Sequence, residues 1–309
     1  MTILSTSSVT PRVLSPSGQL AHARHARAAR APLIRSLERT VHNPMGFVGL
    51  VIVAIMVIGA IAAPLVSPFD PIEHHPGSEL LGPGGQFPLG TDNLGRDLLS
   101  RIIFGSRSSL FIGLLAVGLG AGVGIATGLA AGYLGGFIDA LIMRVYDALL
   151  AFPAILLGIG VVSVIGPGSL SVAYALAFAT LPGFARLMRS RVLTERERDY
   201  VLAARCIGAR DARIMWLHVL PNAIAPLLIQ ITLAMSFAIL AESALSFLGL
   251  GAQPPQPTWG AMLNESRAYL RTAPGFGIFP GFALALLLLG LNFVSDALRD
   301  ALDPRRINA

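Results

Sequence analysis

FVGLVIVAIMVIGAIAAPLV, residues 47–66, is a run of twenty residues without a charge. A helix rises about 1.5 Å per residue, so this run spans about 30 Å, one bilayer hydrocarbon thickness. A helix in a soluble protein keeps a polar face, and this stretch has none. In lipid the backbone must satisfy its own hydrogen bonds, so the stretch reads as a membrane-spanning helix.

Hydrophobic stretches of similar length, with few charges, recur at about 110–133, 142–165, 170–187, 223–248 and 276–294. The chain is therefore expected to be an all-α integral membrane protein with six transmembrane helices. Composition agrees. Of 309 residues, 54% are hydrophobic and only 13% charged, against about 25% charged in soluble domains. All 23 basic residues are arginine. Without lysine there is no phosphate-binding loop of the G-x-x-x-x-G-K-[ST] type and no Schiff-base chemistry. The single cysteine, Cys206, excludes an internal disulfide and cysteine-rich zinc sites. His74 and His75 stand side by side next to Glu73, a spacing that chelates poorly, so no metal site is expected.

Charge placement sets an expected orientation. With the N-terminus inside, 18 arginines fall on inner segments and 5 on outer ones. This follows the positive-inside rule and puts both termini in the cytoplasm. The net charge of +6 then marks a membrane face, not a nucleic-acid surface. The divisions expected are a cytoplasmic tail (1–42), a first span (43–66), an outer loop (67–107), a five-helix core (108–297) and a second cytoplasmic tail (298–309). The core contains an inner loop (188–222) and an outer segment (249–275).

Several residues stand out within this frame. Gly118, Gly120, Gly122, Gly124, Gly128 and Gly132 sit in the second span, several of them four apart. Small residues at that spacing let helix backbones approach closely in lipid. Glu242 lies inside the fifth span, where an acid is costly unless it faces protein or water. It is expected to bond to a neighbouring helix or to border an outer gate. Arg144 and Asp147 are three apart and can pair on one face. Asp92, Arg96, Asp97 and Trp259 are expected to order the outer loop or to meet an external protein. Thr258 can cap a short helix whose Trp259, Met262, Leu263, Ser266 and Leu270 form an apolar stripe, expected to lie at the outer interface.

The inner loop reads RERDYVLAARCIGARDARIMWLHVLPN from Arg196 to Asn222. Gly208 suits the left-handed position that ends a helix. Asp211 can cap a second helix, and Pro221 ends the pattern. Ala203 and Ala204 permit a close approach, with Arg205, Arg210, Asp211 and Arg213 as a polar rim. A docking surface for a partner and a plain helical connector both fit these residues.

This loop resembles the cytoplasmic loop of permease subunits of bacterial ABC importers. That pattern is Glu-Ala-Ala, three residues, Gly, nine residues, usually Ile, then x-Leu-Pro. Ala203, Ala204, Gly208, Leu220 and Pro221 fall at matching positions, followed by Asn222; Leu202 stands where the glutamate would, and His218 where isoleucine is usual. GTDNLGRDLLSRIIFGSRSSL from Gly90, AESALSFLGLGAQPPQPTWGAML from Ala241 and NPMG from Asn43 narrow the likeness to dipeptide, oligopeptide and nickel permeases of the C type. The likeness covers residues 43–304.

The resemblance implies a type I importer core of five helices preceded by one N-terminal span, in the bacterial inner membrane. It implies no catalytic residue and no cofactor in this chain, with ATP and magnesium held by two partner ATPase subunits. A B-type permease and a solute-binding protein would complete the assembly, with membrane lipid around it. Peptides, glutathione and nickel chelates are all substrates within the likeness. A secondary transporter would require inverted repeats or midplane ion ligands, and a membrane enzyme a polar catalytic cluster. The sequence offers neither pattern.

Overall fold

The computed structural model describes residues 40–302. The tails expected at 1–42 and 298–309 fall largely outside that range. Five helices are long and apolar enough to cross a membrane, and a bent pair supplies a sixth candidate span.

Helix α1, Pro44–Ile61, starts with Pro44 in its first turn and is capped by Asn43, whose side chain accepts from the Met45 amide at 3.1 Å. Most of its surface is open, and its glycine face, at Gly49, rests on the backbone around Gly290 of the last helix.

Helix α2, Leu98–Leu134, has 37 residues. At about 55 Å it exceeds one hydrocarbon thickness. Residues 98–107, expected as loop, are its first turns. They are polar in sequence because they carry Ser100 and Arg101, but both are buried against protein. Asp97 caps the helix, accepting from the Ser100 amide at 2.8 Å.

Helix α3, Gly136–Leu150, and helix α4, Ala154–Ile165, meet at an angle of 93°. The single span expected over 142–165 is therefore broken. Pro153 donates no hydrogen bond and pushes Phe152 out of helical geometry.

Helix α5, Ser169–Glu195, packs along α2 as the most extensive helix pair. The glycine stripe explains the closeness. A Cβ on Gly124 would lie 2.6 Å from the Leu181 carbonyl oxygen, and Gly120, Gly128 and Gly132 are equally crowded by α5. Gly118 and Gly122 point to open space, so only one of the two glycine faces serves this packing.

After α5 the chain turns back through helix α6, Asp199–Cys206, a short helix Asp211–Ile214, a π-helical turn Met215–Val219 and a last turn Leu220–Ala223. Helix α7, Ala225–Phe247, then returns across the bundle. Helix α8, Trp259–Ser266, follows a loop, and helix α9, Gly275–Leu302, closes the fold.

The α8 helix is capped by Thr258, which accepts from the Ala261 amide at 3.2 Å. It does not lie loose at an interface, as its stripe had implied. Trp259 and Met262 are fully buried, and the indole N–H donates to the Ile102 carbonyl at 3.0 Å. Packing against α2, α7 and α9 buries Trp259, Met262 and Ser266, while Leu263 is half-buried and Leu270 stays exposed.

One apolar cluster runs from mid-bundle into the 199–223 segment. It joins Leu176, Phe184, Met188 and Val192 of α5 to Val201, Ala204, Ile214 and Val219.

Candidate functional site

The 199–223 segment is a sharp bend pinned from beneath. Gly208 has φ +78°, the left-handed region where a side chain would be strained. Its amide donates to the Arg205 carbonyl at 2.9 Å, and the Ala209 amide to the Ala204 carbonyl at 3.0 Å. These bonds satisfy the carbonyls left at the end of α6.

Asp211 was expected to cap the second helix, but Arg210 holds the cap position without a side-chain bond. The Asp211 carboxylate is committed elsewhere: it accepts a 2.7 Å hydrogen bond from the Tyr133 hydroxyl at the end of α2. The Arg205 guanidinium stacks over the same Tyr133 ring, 5.4 Å from its centroid. One tyrosine thus receives both halves of the bend. Arg196 adds a third tie, donating to the Gly132 carbonyl at 2.9 Å.

The Tyr200 hydroxyl donates to Glu195 at 2.8 Å, and burial together with that bond pushes its pKa up to about 12. His218 contributes its carbonyl, which accepts from the Asn222 amide at 2.7 Å. Pro221 and Asn222 sit exposed in the final turn.

The two alanines separate. Ala204 is buried in the core, while Ala203 is exposed. The outer surface of the segment is apolar. Ile207 is 85% exposed at the bend, with Leu202, Trp216 and Leu217 also standing free. An open hollow of ≈ 1020 Å³ lies beside Ile207, walled by Tyr200, Ala203, Gly208, Arg210 and Arg213. Exposed large apolar side chains beside arginine are the composition of a protein-docking surface. Tyr133, Glu195 and Trp216 were not singled out from sequence. Tyr133 lay at the end of an apolar run, with no local pattern linking it to a loop far along the chain.

At the opposite end of the bundle, a buried ion cluster clasps the 67–97 loop. The Asp92 side chain accepts from the amides of Leu94 and Arg96 at 2.8 and 3.0 Å. Its other oxygen pairs with Arg96 at 2.6 Å and Arg101 at 3.2 Å. Both guanidinium groups reach Glu265 of α8, at 3.1 and 3.2 Å. Asp97 is the cap of α2. Asp92, Arg96 and Asp97 are all buried, so they hold the loop in place and present little surface to an external protein. Arg101 and Glu265 complete the clasp and were missed; Glu265 is remote in sequence and gave no local signal. Trp259 roofs the same region.

Glu242 is fully buried on α7. It accepts hydrogen bonds from Ser109 of α2 at 3.0 Å and from Ser246 at 2.7 Å. It thereby links α7 to α2. Arg144 and Asp147 do not pair. Asp147 reaches Arg186 of α5 at 2.5 Å, and Asp139 takes Arg189 in a two-pronged pair at 2.5 and 2.6 Å. The acids of α3 thus face α5, and Arg144 is left exposed.

A family model described as "Binding-protein-dependent transport system inner membrane component" matches residues 124–308. Another, "N-terminal TM domain of oligopeptide transport permease C", matches residues 32–83. The dipeptide transport system permease protein DppC of Alkalihalophilus pseudofirmus is 43% identical over 90% of this chain and 91% of its own length. The di/tripeptide transport system permease protein DppC of Pseudomonas aeruginosa is 45% identical over 90% of this chain and 94% of its own. The glutathione transport system permease protein GsiD of Escherichia coli is 42% identical over 89% and 91%. Among solved structures, an inward-facing MetNI methionine ABC transporter chain superposes with a TM-score of 0.54 at 17% identity, over 65% of this chain and 96% of that one. This last likeness concerns the fold.

Proposed function

The chain belongs to the family of binding-protein-dependent transport inner membrane components, as an ABC importer permease of the dipeptide/oligopeptide C type, and from that premise we propose that it carries peptides inward by alternating access. The observation that carries this reading is the continuity of one apolar core from α5 into the 199–223 segment. A force applied to the bend reaches the spanning helices through packed side chains, because a close-packed interior transmits displacement.

In this reading the arginine-rich end faces the cytoplasm, and two ATPase subunits grip the bends of this chain and of a B-type permease. Ile207, Leu202 and Trp216 enter the ATPase surface, with Arg210 and Arg213 at the rim. Leu202, standing where the related loop has an acid, makes this contact apolar at that point. ATP, with magnesium, binds in the partner subunits. Their closure moves both bends, and the spanning helices shift the opening from one side to the other. ATP drives the change only through its preference for one state. A solute-binding protein delivers cargo at the clasped end, where the Asp92–Arg101–Glu265 cluster keeps the outer loop rigid. Glutathione is a second cargo consistent with a relative of that name.

The test is reconstitution of this chain with its partner permease, ATPases and binding protein in liposomes. ATP-dependent accumulation of a di- or tripeptide supports the reading. Accumulation that persists without the ATPase subunits contradicts it.

A further inference from the structure

Helix α5 starts at Ser169 with Gly168 at its cap position and no side chain bonded to its first amides. Such unmet amides, at the positive end of a 27-residue helix, attract anions. Here they open into a hollow of ≈ 720 Å³. The hollow lies at the end of α5 remote from the 199–223 segment, about 40 Å away along the helix.

Three further observations mark it as a place for a negative group. Ser171 lines the hollow at only 8% exposure, and its hydroxyl has no hydrogen-bond partner among the described residues. A second hollow of ≈ 340 Å³ shares Ser108, Phe111 and Gln256 with the first and adds Arg107. Arg107 is exposed and makes no ion pair among the described residues. No acidic side chain lines either hollow. Phe104 and Phe111 supply apolar wall beside the cation. An amine would meet like charge at the Arg107 end, whereas a carboxylate would find amides and a hydroxyl in one hollow and a guanidinium in the adjoining one.

We propose that this paired hollow receives the α-carboxylate of the transported solute as it leaves the binding protein, with Arg107, Ser171 and the first amides of α5 as its ligands and Phe104 and Phe111 against the solute's side chain. The inference rests on the importer reading above, and it adds an entry site to it. Arg107 sets the charge preference, and Ser171 with the helix terminus sets the position.

The test uses the complete complex in liposomes, with radiolabelled alanyl-alanine and glutathione as probes. Solute moved per ATP hydrolysed is compared for the wild type, Arg107→Gln, Arg107→Lys and Ser171→Ala, after checking that each complex assembles. Loss of a charge-assisted contact should lower the ratio about tenfold in Arg107→Gln. Arg107→Lys should keep most of it, and Ser171→Ala should show a smaller loss. An unchanged ratio in Arg107→Gln and Ser171→Ala overturns the site. So does a loss that disappears when binding protein is raised, because Arg107 would then be a contact for that protein. Absence of uptake of either probe by the wild-type complex contradicts the importer reading itself, whereas wild-type uptake with unaltered variants contradicts only the carboxylate site.

Discussion

The Tyr133 hydroxyl at the end of α2 donates a 2.7 Å hydrogen bond to Asp211, 78 positions further along the chain. The same ring carries Arg205 on its face. The bend in the 199–223 segment is thereby fixed to the longest helix of the bundle through both of its arms. Tyr133→Phe removes the hydrogen bond and keeps the ring. It should cost about 1–2 kcal/mol of local stability and lower peptide moved per ATP, with the complex still assembled. Asp211→Ala should have a similar effect, and the double variant little more than either alone. Uptake and hydrolysis measured in the same liposomes check this.

Glycines two residues apart on α2 should respond with opposite sign. A methyl group on Gly124 would press into the Leu181 carbonyl and the Phe184 side chain, whereas one on Gly122 meets open space. Gly124→Ala should destabilise by about 1–3 kcal/mol. Gly122→Ala should be neutral or gain up to about 1 kcal/mol from helix propensity. Thermal unfolding of the purified complex separates the two.

Glu242 ties α7 to α2 through serine hydroxyls, so its hydrogen-bonding shape should matter more than its charge. Glu242→Gln keeps one acceptor oxygen and offers an amide N–H to the other serine, whose hydroxyl oxygen can accept, and should melt close to wild type. Glu242→Ala leaves those hydroxyls buried and unmet, at about 1–3 kcal/mol, and should lower the melting temperature by several degrees. Equal melting of the two variants would contradict the bonding role.

The outer clasp should fail when one charge is removed. Arg101 is buried between Asp92 and Glu265. Arg101→Ala leaves Asp92 and Glu265 sharing Arg96 alone, a loss of about 1–3 kcal/mol. Limited proteolysis of the assembled complex should then cut within residues 67–97, which the wild type protects.

Much of this fold was legible in the sequence because lipid imposes long uncharged runs, and Phe47–Val66 announces the first of them. The glycine stripe foretold close packing, and Gly208 foretold the bend. What escaped notice was set by contacts between distant residues. Asp211 looked like a cap, but Tyr133 claimed it. Asp147 had a partner three residues away, but Arg186 of α5 claimed it. Residues 98–107 looked like loop because their serine and arginine are polar, and only Asp92 and Glu265, from elsewhere, make their burial possible. Periodicity reports a face; it does not report which element will cover it.

The central claim is that the 199–223 segment is the handle by which ATPase subunits move this chain, and the chain supplies its own probe. Cys206 is the single cysteine and is exposed in α6, beside Ile207. A maleimide-linked photo-cross-linker on Cys206 in the assembled complex should join this chain to an ATPase subunit, with a yield that changes when ATP is added. Complete labelling of Cys206 with no ATPase adduct, in a complex that still imports peptide, would contradict the claim.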